Sequence, residues 1–85
     1  MPASASLRRA ADLPADGDWH AAHLIVQDDD SALAAWMHGI VHMMEGDASN
    51  AHYWYGRASR PFPVSWDLRA EIEAAQAEAR GAGPA

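Results

Sequence analysis

From Ser31 to Met44 the chain reads SALAAWMHGIVHMM and carries no formal charge, between Asp28-Asp29-Asp30 on one side and Glu45-Gly46-Asp47 on the other. At about 100° per residue, Leu33, Trp36, Met37, Ile40 and Met44 form one helical stripe, with Val41 and Met43 on its flanks. A helix that is apolar nearly all round belongs at the centre of a fold, packed on more than one side. The remaining elements must therefore surround this segment. Ala fills 20 of 85 positions and no stretch alternates apolar with polar, so those elements are expected to be helices rather than strands.

Turn and cap residues divide the chain accordingly. Asp18, after Gly17, is a suitable N-cap for WHAAHLIVQ. The Asp28–Asp30 run ends that helix and suits the N-terminus of the central one, where negative charge is favourable. Gly46 is a preferred residue just past a helix end, and Asp47 caps ASNAHYWYGRAS, which stops before Pro61 and Pro63. Ser65 or Asp67 opens WDLRAEIEAAQAEAR, where Leu68, Ile72, Ala75 and Ala79 share one side while Arg69, Glu71, Glu73 and Glu78 lie elsewhere. The expected fold is all-α: about four helices in two antiparallel hairpins, forming one domain over residues 17–80. Segments 1–16 and 81–85, rich in Ala, Ser, Pro and Gly, are expected to be flexible.

A folded part of roughly 60–65 residues buries only about 60% of its unfolded surface. Cysteine is absent, so neither disulfides nor thiolate ligands are available. Packing, four Trp included, or a partner chain must supply the stability, and a homodimer or other protein partner is expected. The net charge is −6, with six Arg and no Lys, which leaves no basic stripe for nucleic acid. Arg8-Arg9 precedes no apolar run of signal type, and no segment is long enough to span a membrane. A cytoplasmic protein is the default expectation.

The chain repeats itself once. Gly17-Asp18-Trp-His-Ala-Ala22-His23 aligns with Gly46-Asp47-Ala-Ser-Asn-Ala51-His52 as GDxxxAH, at an offset of 29. Gly-Asp reads as a helix stop followed by an N-cap, and the small Ala permits close helix approach, as in stacked helical hairpins.

These residues support a resemblance. GDASNAHYWYGRASRP resembles the second helix of tetratricopeptide and Sel-type repeats, where an Asp or Asn cap precedes A-x-x-W-Y-x-x-A. The longer pattern W-x-x-A-H-x-I-V-Q … W-x-H-x-x-x-H-x-x-E-G-D-x-x-N-A-x-Y-W-Y-x-R-A, met from Trp19 to Ala58, resembles small, mostly bacterial proteins of unassigned function. It implies an all-helical hairpin fold and carries no activity with it.

The groups able to do chemistry are concentrated in and around the central segment. His38 and His42 stand one helical turn apart, roughly 5–6 Å between Cβ atoms, close enough to share a metal ion. Glu45, three residues on, is positioned to complete a His-His-Glu set or act as a general base. His23 and His52 occupy equivalent repeat positions, and hairpin stacking can bring either one to the central helix as a further ligand. Neutral imidazoles suit Zn, Ni or Fe. The spacing departs from known motifs: Gly39 stands where a zincin has Glu, and di-iron bundles use Glu-x-x-His from two helices. The plainer alternative is a half-buried polar face, with His38 and His42 hydrogen-bonded to Asn50, Tyr53, an Asp or water.

In NAHYWYGRA, Trp54 and Tyr55 are expected in the core and Tyr53 at the surface, with Arg57 one turn on as its neighbour in a ligand or interface patch. Asn50, a poor helix former, can serve the Asp47 cap or reach back to His42 or Glu45. Arg57 and Arg60 are expected in salt bridges, or alternatively in a phosphate or carboxylate site. Asp28–Asp30 lacks the spacing of a calcium loop. Two functions follow. The first is a helical-repeat-like interaction module that self-associates; the second is a metal-binding protein or metal-dependent enzyme built on His38, His42 and Glu45, with His23 or His52.

Overall fold

The computed structural model describes residues 4–63, 65 and 67–81, and among them it contains α-helices, one 3₁₀ turn and no strand. The helices are α1 (Ala5–Asp12), α2 (Trp19–Val26), α3 (Ala32–Met44), α4 (Ala48–Arg57) and α5 (Leu68–Ala79), with the 3₁₀ turn over Leu13–Asp16. Trp66, expected at the head of the last helix, lies outside the described residues, as do residues 82–85 of the expected tail.

Each helix begins on a Ser or Asp whose side chain accepts a backbone N–H three residues on. Ser4, Asp18, Ser31, Asp47 and Asp67 accept from Leu7, Ala21, Ala34, Asn50 and Ala70 at 3.1–3.3 Å. Such caps are worth about 1 kcal/mol each. The acidic run serves α3 indirectly: Asp29 Oδ1 accepts from Ser31 N–H at 2.8 Å, and Ser31 is the cap.

The described residues hold five α-helices where about four are expected, because residues 5–16 form α1 and the 3₁₀ turn. Leu7, Ala10, Ala11 and Pro14 recur at i, i+3, i+4 and i+7, and all four are buried. Three of them are small or conformationally special, so the stripe looks like loop composition until a partner surface exists. That surface is α5, which presents Ala75 and Ala79 to the same core. Arg80 and Gln76 donate to Asp12 Oδ1 at 2.6 and 3.2 Å, fastening the end of α5 to the end of α1.

α3 is central, as its lack of charge requires: α1, α2, α4 and α5 all pack on it. Trp36, Met37, Ile40, Val41 and Met43 are buried, each contributing roughly 1.5–3 kcal/mol of apolar transfer. The two Gly-Asp turns are built alike. Gly17 and Gly46 both have φ +82°, a left-handed conformation that suits glycine, and Ala22 and Ala51 are both fully buried. At the second turn Gly46 N–H bonds to Met43 O at 3.1 Å and Asp47 N–H to His42 O at 2.8 Å, the Schellman pattern of closure. The chain folds back there, and mid-α4 lies against mid-α3. A Cβ on Gly39 would stand 2.5 Å from Tyr55 Cδ1 and 3.3 Å from Ala51 O, so only glycine lets the two helices approach this closely.

On the far side, Glu71 of α5 enters a polar network. Its Oε1 accepts from Trp36 Nε1 at 3.1 Å and from the Tyr55 hydroxyl at 2.5 Å. The Arg60 guanidinium lies 3.4 Å from the Trp36 ring centroid and 3.4 Å from Glu78 Oε2. Burial, with the Glu71 carboxylate next, pushes the Tyr55 hydroxyl well above the usual phenol range. Helical period alone sets Glu71 among the outward residues, since charge does not reveal two buried donors awaiting an acceptor.

Candidate metal centre

The uncharged α3 buries one polar side chain, His38, which is only 5% exposed. Its ring is stacked on Trp54 of α4, with centroids 3.8 Å apart and planes 9° from parallel. His42, one turn along α3, lies at 5.0 Å from His38. From α2, His23 meets the His38 ring edge-on at 4.6 Å and the His42 ring at 5.7 Å. Three imidazoles from two helices thus converge beside one indole.

The three residues offer ligand-type nitrogens that all lie within 4.8 Å of one another. A tetrahedral ion with bonds of about 2.0–2.1 Å needs roughly 3.3–3.4 Å between ligand atoms. Ion binding therefore requires the rings to turn toward one another. His38 Nδ1 is buried and has no hydrogen-bond partner among the described residues. Burial first, then the neighbouring His23 and His42, lower the His38 pKa to about 4, with Glu45 opposing. At neutral pH the ring is therefore uncharged, the state a metal ion requires.

The other candidate residues fall into place around this cluster or away from it. Glu45 hydrogen-bonds to His42 Nδ1 and is not part of the three-nitrogen set. A second group of ligand-type atoms comprises His42, Glu45 and Asp47. Asn50 serves the cap: its backbone N–H and side-chain amide donate to Asp47 at 3.2 and 2.6 Å. The amide bond first, then the backbone bond, hold the Asp47 carboxyl below its ordinary value. His52 is exposed and stacks on Phe62 at 3.6 Å, away from the cluster. Although it repeats His23 in sequence, α4 meets α3 through Ala51 and Tyr55, which turns His52 aside. Tyr53 is 54% exposed, and its hydroxyl accepts from Arg57 at 3.0 Å. Arg57 also lies 5.5 Å from the Trp54 ring.

Comparison of the chain with protein-family models, with curated proteins and with solved structures finds no match. The chemistry of the site rests on its own geometry.

Two residues of this centre are not singled out for it by the sequence. Trp54 reads as core at helical spacing, and its stacking on His38 depends on how α4 sits. Gly39 reads as an interruption of a catalytic motif, whereas it is the gap through which α4 approaches. The available signal is the pairing of one mid-helix glycine with the aromatic run Tyr53-Trp54-Tyr55 beyond a Gly-Asp turn. Two cavities are found elsewhere, along the 3₁₀ turn and α5: an apolar one bounded by Ala11, Met37, Ile40 and Ala75, and an open one bounded by Ala15, Arg69, Glu73 and Gln76. None of the five histidines lines either cavity. Among the described residues no helix is long and apolar enough to cross a membrane.

Proposed function

We propose that this protein binds one divalent transition-metal ion of the zinc class through His23, His38 and His42. The observation that carries the proposal is the buried His38 ring, whose Nδ1 lacks a partner among the described residues while two further imidazoles stand within ligand-sharing distance. Buried polar atoms are almost always hydrogen-bonded, and an orphan in a native core calls for an explanation. A bound ion supplies one. Three neutral nitrogen ligands without thiolate favour Zn, Ni, Co or Fe over Ca or Mg. Three protein ligands also leave a fourth position for water or another donor, the arrangement that metal-dependent hydrolytic sites use. The test is zinc binding by tag-free protein, followed by Trp emission and melting temperature. The proposal expects one ion per chain, abolished by His23→Ala and by His38→Ala; uptake unaffected by either substitution would end it.

A second reading, a self-associating interaction module of tetratricopeptide-like hairpins, has separate support. The two Gly-Asp turns match in backbone geometry, and Leu24 and Tyr53 are large apolar side chains that are more than half exposed. Exposed aromatic and aliphatic anchors are what a partner surface needs. Kinship with the small bacterial proteins that share the E-G-D-x-x-N-A-x-Y-W-Y pattern is proposed on the same footing. Sedimentation velocity across a hundredfold concentration range tests self-association. A single monomeric species throughout, unchanged by Tyr53→Ala, would remove it.

A further inference from the structure

His42 belongs to both groups of ligand-type atoms, so its orientation decides which of them takes an ion. The carboxylates of the outer group are already engaged. Asp47 Oδ1 accepts the Asn50 backbone N–H and Oδ2 accepts the Asn50 side-chain amide. Glu45 Oε1 is hydrogen-bonded to His42 Nδ1. A carboxylate acceptor calls for the hydrogen of that bond on Nδ1, which in a neutral ring leaves Nε2 with the lone pair. The inner group, in contrast, contains the unpartnered His38 Nδ1.

We infer that Glu45 is the positioning residue of the three-histidine site, holding His42 as the Nδ1–H tautomer so that Nε2 is free for the metal. Glu45 is then neither a ligand nor a base. Its place is fixed by the turn. It is the C-cap of α3, with φ −86° and ψ 0°, directly before the left-handed Gly46. Asp47 N–H returns to the His42 carbonyl at 2.8 Å. Across this turn Asp47 anchors the backbone of His42 and Glu45 anchors its ring. A carboxylate on the remote nitrogen of a ligating imidazole also raises its basicity, and losing such a partner weakens metal affinity by about 10- to 100-fold.

Resting on the metal-binding proposal for its second half, the inference is tested in two parts on the full chain. Long-range ¹H–¹⁵N spectra of the metal-free protein above pH 7.5 read the His42 tautomer directly. The expected result is a protonated Nδ1 in wild type and a shift toward the Nε2–H form in Glu45→Ala. Zinc titration should then show affinity reduced by about 10- to 100-fold in Glu45→Ala, with a smaller loss in Glu45→Gln, whose amide oxygen still accepts a hydrogen bond. A wild-type His42 protonated at Nε2, or zinc affinity unchanged in Glu45→Ala, would overturn the assignment. A wild-type protein with the Nδ1–H tautomer but no zinc uptake would support the positioning role and defeat the metal proposal.

Discussion

Gly39→Ala separates two opposite expectations for one methyl group. By helix propensity, alanine in the middle of α3 should stabilise the protein by about 0.8–1 kcal/mol. The structure gives the opposite sign. The new Cβ would lie 2.5 Å from Tyr55 Cδ1 and 2.8 Å from Cε1. Carbon atoms in ordinary contact are about 3.5–4.0 Å apart, so roughly 1 Å of relief is needed. Tyr55 cannot readily swing aside, because it is 1% exposed and its hydroxyl is bound to Glu71. Relief therefore requires moving α4 as a body, and overpacking of this kind costs about 1–3 kcal/mol. After subtracting the propensity gain, we expect a net loss of up to about 2 kcal/mol. In a domain of this size the full loss of about 2 kcal/mol would lower Tm by about 8–16 °C. Gly56→Ala is the matched control: apart from its own helix, nothing among the described residues lies within 4 Å of its Cβ, so the propensity gain should appear undiminished, at up to about 1 kcal/mol. Paired thermal and urea denaturation measure both variants. A Gly39→Ala protein that melts above wild type would refute close α3–α4 approach and, with it, the stacking of Trp54 on His38.

Other expectations follow from the same contacts. Ser59 has φ +57°, a left-handed position just past the end of α4 where glycine is usual, so Ser59→Gly should stabilise by about 1 kcal/mol in chemical denaturation. Glu71→Ala removes the acceptor shared by Trp36 and Tyr55 and should cost at least about 2 kcal/mol, while Glu71→Gln, which keeps one acceptor oxygen, should cost less. In the metal-free protein, His38 is held at a pKa of about 4 against 6.5 in the unfolded chain. Its contribution is therefore fully present above pH 6.5 and is lost as pH falls toward 4. That shift corresponds to roughly 3 kcal/mol at most, to be read as a urea midpoint that falls across the window in wild type and much less in His38→Leu.

Much of this architecture was legible in the sequence, for identifiable reasons. Caps and stops are local, so Asp18, Asp47 and Gly46 could be assigned from their own chemistry, and a charge-free helix between them had to be central. α1 was not legible, because Ala10 and Ala11 signal burial only once the alanine face of α5 is opposite them. The histidine stripe followed from helical period alone. Which of His23 and His52 would join it did not, since both occupy the same repeat position and only the packing of α2 and α4 on α3 distinguishes them. Glu71 and Trp54 belong to the same class: their partners lie on other helices, far along the chain.

Metal binding by the tag-free protein tests the central claim most directly. Titration with Zn²⁺ followed by calorimetry and Trp emission should give one ion per chain in wild type, and at a free concentration of about 100 times Kd should raise stability by about 2.7 kcal/mol. Binding should vanish in His23→Ala, because the third imidazole comes from α2. No uptake by wild type, or uptake that His23→Ala leaves intact, would contradict the three-histidine centre.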